Sequence, residues 1–243
     1  MRHVKIARYS YQGAIAFGIV DDEELVVLTS DPMFAGFDTT GDRVARADVK
    51  LLAPVIPRSK IVAMVSDEAF VLRPNTAVVG PGDAIVLPAA AGRVEVDGQL
   101  AIIIGKIAKN VSAADALGRV FGYTVATVVT AADLASGLAG AFDTFSPLGP
   151  IIETEFDEAA TGLRGLINDE EFQAVDLGDD DATLSEDTVA ALVSFASSVF
   201  TLLPGDVILA GPLDTAAAVV DGDTVSMSIE GIGTLVNPVV RPA

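Results

Sequence analysis

The chain has 243 residues, of which 51% are hydrophobic, and it contains no cysteine and a single histidine, His3. Its 34 Asp and Glu against 15 Lys and Arg give a formal net charge of −19 at pH 7, so its average field repels nucleic-acid phosphates and anionic membranes. The absence of cysteine excludes disulfides, thiolate zinc sites, iron–sulfur clusters and thiol nucleophiles. Since His3 lies two residues from the start, it is poorly placed for a catalytic triad or a histidine metal site.

Neither nucleic acid nor a membrane is therefore an expected partner. The first residues lack the apolar run of a signal peptide. The longest uncharged stretches, such as 189–205, contain several serines and end in Pro-Gly, unlike a membrane span of ~20 apolar residues. We expect a cytoplasmic protein with a solvated acidic surface.

The first 30 residues alternate short apolar runs with turn signals, which predicts a small antiparallel meander. A polar, glycine-containing segment follows over 30–48, and residues 53–57 (APVIP) read as a stiff linker because proline fixes φ. We place a boundary near residue 56. The predicted domains are a small N-terminal β domain over 1–56 and a main domain over 57–243.

The main domain contains mostly β-branched or apolar runs bounded by Gly, Pro and Asp, which predict strands over 61–65, 84–87, 100–107, 120–130, 207–209, 224–229 and 234–240. Helices are predicted over 112–117 and 185–200, and a third, Ala-rich one over 131–138. The apolar residues of the longest helix fall on one stripe. Strands and helices do not alternate, so we expect an α+β fold that is mostly β and not a doubly wound sheet.

Six segments in fixed order resemble the fumarylacetoacetate hydrolase family: 80–88 (GPGDAIVLP), 97–106 (DGQLAIIIGK), 120–124 (VFGYT), 142–150 (FDTFSPLGP), 201–209 (TLLPGDVIL) and 230–239 (EGIGTLVNPV). The meander is similar to the small N-terminal domain of many bacterial members. The resemblance implies a mixed β-sandwich roll, a homodimer, and hydrolysis, isomerisation or decarboxylation of β-diketo or 2-oxo acids around Mg²⁺ or Mn²⁺.

The resemblance also places three metal ligands, a Glu-x-Glu pair and an Asp. In this chain those positions read Asp97, Gln99 and Thr127. One short carboxylate, one amide and one hydroxyl are a poor site for a hard cation, which prefers charged oxygen ligands. Glu95 lies on the same strand face as Asp97 if the strand extends that far, and would then supply a second carboxylate.

Other groups that the resemblance implies are replaced as well. A lid segment with a His and a Glu is absent, because the chain runs from the first strand of the main domain through Asp67 and Glu68 into the next apolar run. These two carboxylates are weak candidates for a general base. The family's lysine aligns with Gly140, and Gly211 begins a substrate loop that has lost its hydroxyl. Glu95, Asp133, Asp143 and Gly211 are the candidates to line the cleft, although core packing and turn geometry suffice to explain Asp133 and Asp143.

These losses predict a family homologue without metal-dependent catalysis, a pseudoenzyme that needs no cofactor. Its role would be to bind a small carboxylic acid, or to assemble with itself or with an active paralogue. The alternative is a diverged hydrolase, isomerase or decarboxylase that holds Mg²⁺ or Mn²⁺ with Glu95 and Asp97 and uses Asp67 or Glu68 as base. A third hypothesis is an apolar groove for a protein partner, exposed by the shortened lid.

Overall fold

The structure is a computed structural model that describes residues 4–66, 68–155, 162–176, 185–211 and 215–242. Its N-terminal strands are β1 (Lys5–Tyr11), β2 (Ala14–Asp21), β3 (Glu24–Leu28), β4 (Thr39–Ala45) and β5 (Lys50–Leu51). The strands that follow are β6 (Ile61–Ser66), β7 (Ala69–Arg73), β8 (Val78–Val79), β9 (Ile85–Val86), β10 (Val94–Ile104), β11 (Val120–Ala131) and β12 (Ser146–Glu153). The last strands are β13 (Gly162–Ile167), β14 (Glu170–Asp176), β15 (Val207–Leu209), β16 (Ala217–Val219), β17 (Thr224–Ile229) and β18 (Gly233–Val240). The α-helices are α1 (Pro32–Ala35), α2 (Ala113–Ala116), α3 (Ser136–Ala139) and α4 (Glu186–Val199).

Two sheets organise the fold, which confirms the mostly β prediction. The larger has 13 strands, with β12, β11, β10, β15, β6 and β7 adjacent in that order, and the smaller has the order β14, β13, β17, β18, β9. The central pair of the larger sheet is β10 and β11, which are antiparallel over their full lengths. Both are rich in Val, Ile and Ala and are buried along most of their lengths, as strands covered on both faces must be.

The two faces of β10 contact different cores. On one face Val96, Leu100 and Ile102 join the large core that includes the smaller sheet and α4. On the other face Ala101 and Ile103 join a second core with β6, β11, β12 and β15. Because side chains alternate along a strand, residues 95, 97 and 99 belong to the second face.

The N-terminal meander is confirmed, and its strands continue the larger sheet. Strands β1 to β4 pair antiparallel in sequence order, and β1 pairs with β12 through Lys5 opposite Glu153 and Ile6 opposite Ile152. The polar segment over 30–48 also contains α1 and β4, which the sequence did not predict. The boundary near residue 56 stays a prediction.

Several predicted elements match closely and one is wrong. The helix predicted over 185–200 is α4, with Val189, Leu192, Val193 and Ala196 buried on one stripe. The helix predicted over 131–138 is wrong: β11 continues to Ala131, and only the single turn α3 follows. After β11, Ala132 N donates to Arg93 O and the Asp133 carboxylate accepts from Gly92 N, so these residues bond to the loop before β10 and do not start a helix. No helix in the described part of the chain is long and apolar enough to cross a membrane.

Candidate ligand cleft

A cleft of about 270 Å³ opens on the second face of β10 and β11, beside the β6–β7 hairpin and α3. Most of its wall is apolar. Its lining residues are Ala63, Met64, Val65, Val71, Arg73, Glu95, Val96, Asp97, Gln99, Val128, Thr130, Ser136, Ala139, Gly140 and Ala216. The few charged and amide side chains in this wall determine what the cleft can bind.

Asp97 and Gln99 lie together in this wall, as the sequence predicted. Their alternate positions on β10 bring both side chains to the same face, and both are buried, with 7% and 4% exposure. Gln99 Nε2 donates to Asp97 Oδ2 at 2.8 Å. An ionised carboxylate only accepts hydrogen bonds, so the amide must turn its nitrogen toward Asp97. Gln99 Oε1 is buried and has no hydrogen-bond partner among the described residues.

A second amide, Gln173 of β14, reaches the other oxygen of Asp97. Its Nε2 donates to Asp97 Oδ1 at 2.9 Å and to Gly98 O at 3.2 Å, while its Oε1 accepts from Gly98 N at 2.8 Å. The side chain thus pairs with the backbone of β10 as a neighbouring strand would. Glycine at residue 98 permits this close approach, because a Cβ there would lie 2.8 Å from Gln173 Oε1 and 2.9 Å from Met227 Sδ, and both side chains would have to shift. Sequence reasoning missed Gln173, which lies in a strand that it did not predict.

Thr127 does not join Asp97 and Gln99, contrary to the sequence interpretation. In the antiparallel register Gly98 is opposite Thr127 and Asp97 is opposite Val128. Directly opposed residues share a face, so Thr127 points away from the cleft and Val128 lines it. Thr127 is fully buried, and its hydroxyl has no hydrogen-bond partner among the described residues. The β11 residue that lies beside Asp97 in the cleft is therefore the apolar Val128 and not Thr127.

Glu95 lines the cleft on the same face as Asp97, because β10 begins at Val94 and not at residue 100. Its carboxylate forms an ion pair with Arg93, and its side chain is 19% exposed. Thr130 is opposite Glu95 on β11. The Glu95 charge is thus already compensated at the edge of the cleft.

Arg73 at the end of β7 is the cleft residue that sequence reasoning overlooked. It is 5% exposed, and its Nη1 donates to Val129 O and Phe145 O, both at 2.8 Å, while Nη2 donates to Thr130 Oγ1 at 3.3 Å. Burial lowers the pKa of the guanidinium from 12.5 to about 10, which leaves it charged at neutral pH. The only signal for Arg73 in the sequence is that it is a single arginine at the end of an apolar run.

Gly140, which the family resemblance aligns with a lysine, lies directly beside this guanidinium. A Cβ at residue 140 would lie 2.6 Å from Arg73 Cζ and 2.8 Å from its Nε and Nη2. The space next to Gly140 is therefore already occupied by a cation. That cation comes from β7 instead of from α3.

The remaining predicted site residues lie outside the cleft wall or outside the described residues. Asp67 is outside the described residues, and Glu68 is exposed in the β6–β7 turn. Asp133 caps a loop: hydrogen bonds from Gly92 N at 2.8 Å and Arg93 N at 3.3 Å hold its pKa below the ordinary value. Asp143 is exposed, and Gly211 is buried, with a φ of +98°. None of these four described residues is part of the cleft wall.

The donor set of this cleft does not fit a hard divalent cation. Among the described residues no group of three His, Cys, Asp or Glu side chains is close enough to hold a metal ion. Both Asp97 oxygens accept hydrogen bonds from amides, and the neighbouring wall positions are an amide and a valine. Mg²⁺ and Mn²⁺ prefer several charged oxygens in octahedral geometry.

Comparison with known proteins agrees with this architecture. A family model for the C-terminal domain of fumarylacetoacetate (FAA) hydrolase matches residues 46–240. The chain belongs to the fumarylacetoacetate hydrolase family. A second model, described as Rv2993c-like, N-terminal, matches residues 4–54 of this family member.

Relatives of this fumarylacetoacetate hydrolase family member include isomerases and hydrolases. It is 38% identical to the 2-hydroxyhepta-2,4-diene-1,7-dioate isomerase of Mycobacterium marinum, with a TM-score of 0.87 and 99% of each chain covered. The structure of maleylpyruvate hydrolase from Sphingobium sp. SYK-6 with manganese (II) ion and pyruvate is 28% identical, has a TM-score of 0.81, and covers 98% of this chain and 100% of that one.

Protein Rv2993c of Mycobacterium tuberculosis is 37% identical, with 98% of each chain covered. That alignment extends over 267 positions, more than the 243 residues of this chain. The relative therefore carries segments that this chain lacks.

Proposed function

We propose that this protein has lost the metal-dependent catalysis of its family and uses the cleft to bind a small carboxylic acid without a metal. The observation that carries the proposal is the hydrogen bonding of the Asp97 carboxylate. Both of its oxygens accept hydrogen bonds from side-chain amides at 2.8 and 2.9 Å. Amide donors stabilise an ionised carboxylate in the way that a cation otherwise would.

Three further features support the loss of catalysis. Val128 stands opposite Asp97, where a carboxylate would be needed to complete a metal site. Gly140 stands at the position of the family's lysine, and the only histidine is His3, within the first three residues. Groups that stabilise one transition state act as a unit, so the loss of several together removes far more rate than the loss of one.

The alternative is a diverged metal enzyme that uses Glu95 and Asp97. One observation favours it, because both carboxylates line the same cleft. The ion pair between Glu95 and Arg93 opposes it, since a metal would have to compete with that arginine. Glu68, the described candidate for a base, is exposed in the hairpin turn and outside the cleft wall.

Calorimetric titration with MnCl₂ and MgCl₂ separates the two functions. The maleylpyruvate hydrolase of Sphingobium sp. SYK-6, whose structure contains manganese (II) ion, is the positive control. We expect no saturable metal binding by this protein, and no turnover of acylpyruvates, oxaloacetate or a 2-oxo-dienoate with either metal present. Metal-dependent turnover that Asp97→Ala abolishes would establish the alternative.

Restoring the missing carboxylates should create metal binding. In the triple variant Asp97→Glu, Gln99→Glu, Val128→Asp, three carboxylates share one face of the β10–β11 pair. We expect the metal-free variant to melt below the wild type, because the carboxylates repel one another. Mn²⁺ should then raise its melting temperature in proportion to ln(1 + [L]/Kd), with no such rise for the wild type. A control variant with Thr127→Asp in place of Val128→Asp directs the third carboxylate to the other face and should not gain this response.

A further inference from the structure

We propose that Arg73 is the carboxylate-binding residue of the cleft, and that the ligand is a small monocarboxylic acid with an apolar chain. This inference rests on the proposed function and names the chemical class of its ligand. The juxtaposition that carries it is Arg73 of β7 packed against Gly140 at the end of α3, in the wall of the cleft.

The first step is the charge balance of Arg73. Its described hydrogen-bond partners are two carbonyl oxygens and one hydroxyl, all neutral, and no carboxylate among the described residues forms an ion pair with it. Its Nε is buried with no hydrogen-bond partner among the described residues. A buried cation without a counter-ion is costly, so a site lined by one favours an anionic ligand.

The second step is preorganisation. Nη1 donates to two backbone carbonyls, one in β11 and one just before β12, and Nη2 donates to a side chain of β11, so the guanidinium is held in one orientation. A ligand that binds this guanidinium therefore loses little binding free energy to the ordering of a long side chain. Arginine also matches the planar geometry of a carboxylate better than lysine does.

The third step concerns the rest of the ligand. Ala63, Val71, Val128 and Ala139 provide an apolar wall suited to a hydrocarbon chain. The other charged residues of the cleft wall, Glu95 and Asp97, are acidic and would repel a second carboxylate. A monocarboxylate is therefore favoured over a dicarboxylate of similar length.

The test titrates the full chain in EDTA with 4-methylpentanoate, with its neutral isostere 4-methylpentanamide, and with adipate. We expect saturable binding of the monocarboxylate and at least tenfold weaker binding of both other compounds. Equal affinity for the acid and the amide, or no binding of the acid, would overturn the assignment of Arg73.

The variant Gly140→Ala tests whether acid binding depends on the position of the Arg73 guanidinium, and it keeps the arginine itself. Its new Cβ collides with the guanidinium, the far end of a flexible side chain, so that group and not the backbone must move. Gly137→Ala in the same helical turn is the matched control, because a Cβ there meets nothing within 4 Å. We expect Gly140→Ala to lose acid binding at least tenfold with an unchanged circular dichroism spectrum, and Gly137→Ala to bind as the wild type does. Wild-type affinity in Gly140→Ala would contradict the inference.

Arg73→Met is the second variant, and it is interpreted only together with its melting curve, since it removes one donor from each of two buried carbonyls, of which Phe145 O still accepts from Val129 N. A folded Arg73→Met that keeps acid affinity also overturns the inference. The proposed function fails separately: metal-dependent turnover by the wild type refutes it regardless of these titrations. Acid binding that is independent of Arg73 and Gly140 would refute this inference alone.

Discussion

Asp133 shows how a carboxylate that matches a family pattern serves the structure and not the chemistry. Its side chain accepts hydrogen bonds from Gly92 N and Arg93 N and so ties the loop before β10 to the end of β11. These bonds favour the charged form and lower the pKa of Asp133 from its ordinary value of 3.8. The stabilisation is therefore present above that ordinary value and is lost as the pH falls through the lowered pKa.

Asp133→Ala should reduce stability at pH 7 and have little effect in strong acid, below the folded-state pKa. Urea unfolding midpoints of wild type and variant at a series of pH values measure the difference. Asp143→Ala is the matched control, because Asp143 is exposed and close in sequence. A difference between wild type and Asp133→Ala that is the same at every pH would contradict this role.

At the scale of elements, one contact caps a helix and another joins two strands that are distant in the chain. Ser185 begins α4, the longest helix, whose first-turn amides need acceptors. Gln173 attaches β14 of the smaller sheet to the middle of β10 through Gly98. Each contact is a single side chain that satisfies backbone groups which would otherwise be unpaired.

Ser185→Ala should lower the free energy of unfolding by about 1 kcal/mol, because Ser185 Oγ accepts from Thr188 N at 3.1 Å. Ser198→Ala in the last turn of the same helix is the control. Ser198 is exposed and donates only to Phe195 O within the helix, so its loss should change stability little. Urea unfolding of both variants tests the cap, and equal effects would argue against it.

Gln173→Met should cost about 3 kcal/mol of unfolding free energy, because Gly98 N, Gly98 O and Asp97 Oδ1 each lose a buried partner. Glu170→Met changes an exposed residue of the same strand and should cost much less. Chemical denaturation measures both. A loss for Gln173→Met no greater than that of the control would show that the three bonds to β10 do not stabilise the sheet contact.

At the scale of the whole molecule, a net charge of −19 makes self-repulsion a general destabilising term. Most described ion pairs are at least a third exposed and contribute little, whereas Lys60 and Asp206 form a buried pair at 2.6 Å with 15% and 0% exposure. The homodimer and the active paralogue implied by the family resemblance stay predictions.

Raising the salt concentration should therefore raise the melting temperature, because screening weakens repulsion among the exposed acids more than it weakens the buried Lys60–Asp206 pair. Differential scanning fluorimetry between about 0.02 M and 0.5 M NaCl, across which the Debye length falls several-fold, measures the trend. KCl serves as a control for effects specific to sodium. A fall in melting temperature would mean that attractive surface pairs outweigh the net repulsion.

That Gln99 and Gly140 replace a carboxylate and a lysine of the family stays a prediction. The amino-acid sequence alone was sufficient for the family, the mostly β fold and the helix α4. These depend on residue identity and on local patterns, which are readable along the chain. Strand β12 was missed because it contains two prolines, which remove backbone donors and read as loop.

Tertiary structure decided which side chains meet in the cleft. The register of β10 against β11 puts Val128 beside Asp97 and turns Thr127 away, and a shift of one residue would reverse that choice. Gln173 reaches Asp97 from a strand of the other sheet, and Arg73 fills the space that Gly140 leaves open. Such contacts join residues far apart in the chain, so only the pairing of strands and the packing of sheets can fix them.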